Sequence, residues 1–143
     1  MGDFFQNGVI TTFHDLSNRT VEDLESDLMD WSKTRPMSLL IPSLYSEFEG
    51  EAIPKIISEL RKVTYLDEVI IGLDNADREE FKKAKDALQA LKLRSRVIWN
   101  DGPGMQEIQK ELAGQNLGPL ERGKGANVWY AMGYFLASGR GVV

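Results

Sequence analysis

The sequence predicts an α/β protein, a mostly parallel sheet with helices on both faces. Short apolar runs at 37–41, 68–73 and 95–99 alternate with segments whose apolar residues recur at helical spacing. Alternation of this kind builds strand–helix–strand units, whose strands are parallel. Leu39-Leu40-Ile41 and Val69-Ile70-Ile71 are also continuously apolar, as strands buried on both faces are.

The elements follow in order. Residues 1–36 read as an N-terminal extension with one helix, and 37–143 as the α/β domain. Thr20 is a candidate N-cap with Asp23 three residues on, so a helix is expected over 21–32. Leu24, Leu28 and Trp31 share one of its faces, and Arg35-Pro36 ends it. The first strand, 37–41, closes at Pro42, and a polar loop fills 43–50. Ala52, Ile53, Ile56, Ile57 and Leu60 then form a helical stripe, with Pro54 near its start. The second strand ends in Asp74-Asn75-Ala76-Asp77. A helix over 78–91 places Phe81, Ala84, Leu88 and Leu91 on one side and its charges in solvent. The third strand meets a turn at 100–104, and Met105, Ile108 and Leu112 mark a further helix. A glycine-rich loop over 114–125 leads to a helical run at 128–137. Gly141-Val142-Val143 reads as the start of a fourth strand. Trp31, Trp99 and Trp129 read as packing residues, and His14 as structural or solvent-exposed.

Composition sets the outer bounds. The 143 residues suit one domain, and 42% hydrophobic with 27% charged residues suits a packed chain rather than a disordered one. A net charge of −5 argues against nonspecific nucleic-acid binding, which needs clustered cations. There is no cysteine, so disulfides, Cys-ligated zinc and thiol nucleophiles are excluded, and a cytoplasmic location is expected. The first six residues lack the basic flank and apolar core of a signal peptide. No apolar run approaches the ~18 residues of a membrane helix.

Ligands of open α/β sheets bind beyond the carboxyl ends of the strands. Here those ends are 42–47, 74–77 and 99–104. The first can present backbone groups and the Glu47 carboxylate to a base and ribose; the plainer reading is a solvated Glu47 on an ordinary connection. Asp74 can hold a ribose hydroxyl or a base edge. It can equally cap the helix near Arg78, a role also open to Asp77. Residues 118–124 match the first seven positions of a phosphate-binding P-loop. Gly125 then stands where Ser or Thr is required, and the loop follows a helix, so a P-loop is rejected. What survives is physical: Gly123 and Gly125 permit close approach, Lys124 supplies a cation, and a helix N-terminus favours anions. Diphosphate binding is the expectation.

Taken together, three pieces resemble the N-terminal half of nucleotide-sugar glycosyltransferases of the GT-A fold, in the family 2 and family 81 circle. They are the strand into Pro42-Ser43-Leu44 with an acid close by, the strand into Asp74, and Gly123-Lys124-Gly125 leading a helix with Trp129. The resemblance covers roughly 39–143, and within that circle it extends to enzymes that glucosylate a phosphoglycerate. It implies transfer of a hexose from a nucleotide sugar (UDP- or GDP-hexose) to a small acceptor such as a phosphoglycerate-like acid. It implies that Pro42, Ser43, Leu44 and Glu47 line the nucleoside pocket, that Asp74 meets base or ribose, and that Gly123 and Lys124 lie against the donor's base, ribose or diphosphate. The family's Asp-x-Asp motif, which holds Mg²⁺ or Mn²⁺, would follow Val143. No catalytic residue and no metal ligand is therefore expected in these 143 residues, and no sugar transfer by them alone. Self-association into a homo-oligomer is left open. The alternatives are a non-catalytic nucleotide- or phosphate-binding α/β module, and a flavodoxin-like domain whose acidic strand ends bind a metal ion.

Overall fold

The computed structural model describes residues 19–119 and 121–139. Three strands form one sheet in the order β1 (Met37–Leu44), β2 (Leu66–Asp74), β3 (Arg94–Trp99). Both pairings are parallel, with Leu39 opposite Val69 and Val69 opposite Ser95. Among the described residues six helices accompany them: α1 (Val21–Ser32), α2 (Ser46–Glu49), α3 (Ala52–Leu60), α4 (Arg78–Leu88), α5 (Pro103–Gly114) and α6 (Lys124–Ser138). The expected parallel α/β layer is the architecture observed. His14 and the strand expected at Gly141 lie outside the described residues.

β2 is central, and its continuous apolar run is buried on both sides. The pleat sends alternate side chains to opposite faces. Val69 and Ile71 pack with Ile53, Ile57 and Leu60 of α3 and with Leu88 and Leu91. Ile70 packs on the other face with Ile98 and with Ala131 and Phe135 of α6. A third cluster, Tyr45, Leu73, Ala76 and Ala84, closes the end of the sheet where the strands finish.

Some boundaries differ from expectation for local reasons. β1 runs through Pro42 to Leu44 instead of closing at the proline. Among the described residues β1 pairs with β2 alone, and an edge position tolerates a residue without an N–H. The short α2 occupies part of the expected loop. α6 begins at Lys124, ahead of the apolar stripe. Its start is set by backbone geometry: Gly123 has φ +149°, open to glycine, and its carbonyl accepts from Asn127 N–H at 2.9 Å. Asp77, with Glu80, forms the capping box of α4, so the capping role falls to Asp77. Of the tryptophans, Trp99 packs as expected, stacked on Phe81 at 4.8 Å. Trp129 packs at the surface, edge-on against Tyr130 at 5.3 Å and 45% exposed, while Trp31 is 59% exposed. α1 carries no buried residue, which is why the Trp31 stripe stays open.

Candidate functional site

The carboxyl ends of β1 and β2 lie side by side, with Ser43 opposite Leu73 and Leu44 opposite Asp74. The first turn of α6 is laid directly against them. Gly72 permits this, because a Cβ there would stand 1.8 Å from Asn127 Oδ1. Asn127 Nδ2 instead donates to the Gly72 carbonyl at 2.8 Å, fixing the helix to the strand.

Strand ends and helix start enclose a cleft of about 480 Å³. Pockets of ~300–1,000 Å³ are typical of small-molecule sites. All seven residues singled out in the sequence line it: Pro42, Ser43, Leu44, Glu47, Asp74, Gly123 and Lys124. They come from three stretches of chain far apart in sequence. Asn75, Arg122 and Asn127 complete the lining.

The two acids are held in the same manner. Glu47 Oε2 accepts from Ser43 Oγ at 2.6 Å and from the Leu44 N–H at 3.1 Å. Asp74 Oδ1 accepts twice from Arg122, from Nε at 3.1 Å and Nη2 at 2.5 Å. Each carboxylate is thus oriented through one oxygen, and no described residue bonds to the other. Two oriented acceptors facing one cleft suit a ligand rich in hydroxyl or N–H donors. Asp74 is 5% exposed, so its charge is tolerable only because the guanidinium neutralises it.

Arg122 also donates through Nη2 to Asp101 Oδ1. Hydrogen bonds to Asp74 and then Asp101 raise its pKa above the already high arginine value. The contribution of the raised guanidinium pKa is therefore present throughout the neutral range and is lost as pH rises through that raised value. Lys124 is different. It opens α6, is exposed, and has no ion-pair partner among the described residues. Gly123 offers no side chain to cap the amides of that first turn. A free cation beside uncapped helix amides is a ready anion seat.

Arg122, Asn75 and Asn127 were not singled out in the sequence. Arg122 sits beside Gly123-Lys124, but nothing local announces partners 48 and 21 residues away. Asn75 carries the one available signal, an Asn at a strand end, a residue type that tolerates its φ of +54°. Asn127 looks like any polar residue in a helix until Gly72 is placed under it. Among the described residues no group of three or more His, Cys, Asp or Glu side chains is arranged to hold a metal ion. No described helix is long and apolar enough to cross a membrane.

Comparison with known proteins gives two relatives. The glucosyl-3-phosphoglycerate synthase of Persephonella marina is 49% identical over 137 residues, a match covering 96% of this chain and 34% of the relative. That of Methanococcoides burtonii is 36% identical over 132 residues, covering 92% of this chain and 32% of the relative. This chain is similar to the N-terminal part of glucosyl-3-phosphoglycerate synthases. It spans about a third of the length of the curated relatives it matches. No protein-family model and no solved structure matches it. The parallel α/β layer agrees with a GT-A-like N-terminal portion of such a synthase.

Proposed function

We propose that this chain is the nucleotide-sugar-binding portion of a glycosyltransferase that moves a hexose from UDP- or GDP-hexose to a small acid such as a phosphoglycerate. The observation that carries the reading is the cleft itself. Seven residues from three separate segments converge on one site at the carboxyl ends of β1 and β2, in a chain similar to glucosyl-3-phosphoglycerate synthases. In this reading Pro42, Ser43 and Leu44 form the wall against the nucleoside. Glu47 and Asp74 use their unpaired oxygens to accept hydrogen bonds from ribose hydroxyls or a base N–H. Lys124, Gly123 and the α6 N-terminus meet the diphosphate.

The chemistry assigned to these residues is binding and charge neutralisation. As the glycosyl bond breaks, negative charge grows on the departing diphosphate, and a preplaced cation stabilises it more in the transition state than in the ground state. In enzymes of this kind a divalent ion shares that task. The described residues do not provide a fitting ligand set for it, so no step here passes through a metal.

Titration calorimetry with UDP, GDP and their hexose conjugates tests the reading, with the bare nucleosides as controls. Binding of at least one nucleoside diphosphate, more tightly than its nucleoside, is expected. Failure of every nucleotide to bind would remove the donor-site assignment. Binding without any transfer to phosphoglycerate by the complete protein would favour a non-catalytic nucleotide-binding module.

A further inference from the structure

We propose that Arg122 is a positioning residue, a latch that ties the loop ahead of α6 to the ends of β2 and β3 and thereby holds Lys124 over the cleft. The inference rests on reading that cleft as a donor site. Its structural basis is independent of any ligand.

Among the described residues of 118–123, a Cβ at Gly118 would meet Leu112 and Trp129 and the Gly123 carbonyl accepts from Asn127 N–H, and little else holds the stretch. No described residue in it donates a backbone hydrogen bond. Gly118 and Gly123 both adopt positive φ, +94° and +149°, and a Cβ at Gly123 would meet nothing within 4 Å. Among the described residues of this stretch, the Arg122 side chain makes the polar tie to the sheet. Its Nη2 bridges Asp74 Oδ1 and Asp101 Oδ1, while Nε adds a second bond to Asp74. Both anchors are themselves fixed. Asp74 is the buried last residue of β2, and Asp101 Oδ2 accepts from the Ala76 N–H at 3.1 Å.

The fork geometry explains why an arginine stands here. One planar guanidinium can address two carboxylates at once, which a single ammonium on a flexible stem does less well. Lys124 follows two residues later, so its backbone lies within about 7 Å of the latch along the chain. Ordering the loop before ligand arrives removes an entropic cost from diphosphate capture. It does little for the nucleoside contacts at 42–47, which Arg122 does not touch.

Asp101 makes the idea testable, because it bonds to Arg122 but does not line the cleft. Asp101→Asn can accept from Ala76 or from Arg122, not from both. Hydrogen–deuterium exchange of the free full chain should show faster exchange across 118–125 in Arg122→Met and in Asp101→Asn, with Arg122→Lys intermediate. Unchanged exchange in both variants would overturn the latch, whether or not any nucleotide binds. On ligand binding, both variants should weaken nucleoside diphosphate affinity by about tenfold; Asp101→Asn should leave bare nucleoside affinity nearly intact, whereas Arg122→Met, which strips the partner from Asp74, should weaken the nucleoside as well. A tenfold loss in Arg122→Met with no loss in Asp101→Asn would mean direct contact with phosphate and would also overturn it. A wild-type chain that binds no nucleotide defeats the donor-site reading instead, and the exchange result alone then decides the latch.

Discussion

Lys124 carries the charge prediction at the scale of single residues. A charge-assisted contact contributes about 1.5–3 kcal/mol, so Lys124→Ala should weaken nucleoside diphosphate binding roughly 10- to 150-fold. The bare nucleoside should bind almost as before, and calorimetry with both ligands reads the difference directly. Equal loss for the two would remove Lys124 from the diphosphate. A second residue lies away from the cleft. Glu68 is fully buried, with Oε1 accepting from Tyr134 O–H at 3.0 Å and Oε2 without a partner among the described residues. Tyr134→Phe strips the remaining bond from a buried carboxylate and should cost about 1–3 kcal/mol in a denaturation series. Nucleotide affinity should not change, since Tyr134 does not line the cleft. A stability loss below a few tenths of a kcal/mol would show that Glu68 finds other compensation.

At the scale of elements, the contact between β2 and α6 builds the site, and Gly72 is its weak point. A methyl group there meets Asn127, a short side chain already committed to the Gly72 carbonyl. Gly72→Ala should therefore cost about 1–3 kcal/mol, the range for overpacking. Adding Asn127→Ala relieves the clash, so the double variant should be more stable than the sum of the single losses predicts. Strict additivity in thermal unfolding would contradict this. The same contact shows what the sequence makes legible. β2 and its partners were readable because burial on both faces demands an unbroken apolar run, and Val69-Ile70-Ile71 supplies one. α1 was readable from its cap, and α4 from its apolar stripe, with its cap left open between Asp74 and Asp77 until the structure assigned it to Asp77. For α6 the Gly-Lys-Gly start was readable but the first helical residue was not, because Gly123 sets it by backbone freedom while the apolar stripe begins later. Nor was the exposure of Trp31, since helical spacing identifies a face without saying what covers it. The seven lining residues could be grouped because strand ends and a Gly-Lys-Gly helix start are local signals. Arg122 could not, because its role exists only once strand ends distant in sequence are brought together.

The molecule as a whole is acidic, with a net charge of −5, and an anionic donor must bind against that background. Local placement therefore has to outweigh the long-range field: Lys124 and the α6 amides act at contact distance, where screening by salt is weakest. Ligand that binds only the folded chain stabilises it by RT ln(1 + [L]/Kd), about 2.7 kcal/mol at a hundredfold excess over Kd. For a chain of this length each kcal/mol moves Tm by roughly 3–4 °C, so a nucleoside diphosphate at that excess should raise Tm by about 8–11 °C. The dependence should be logarithmic, with each further tenfold of ligand adding about 1.4 kcal/mol. In Lys124→Ala the same slope should appear, displaced to higher ligand concentration by the factor that calorimetry gives. In Gly72→Ala the ligand-free Tm should fall first, and the ligand-dependent rise should then follow from that lower baseline. A Tm that climbs by the same amount with inorganic phosphate as with nucleoside diphosphate would show that the chain senses only the anion. The nucleoside wall at Pro42, Ser43, Leu44, Glu47 and Asp74 would then have no part in recognition.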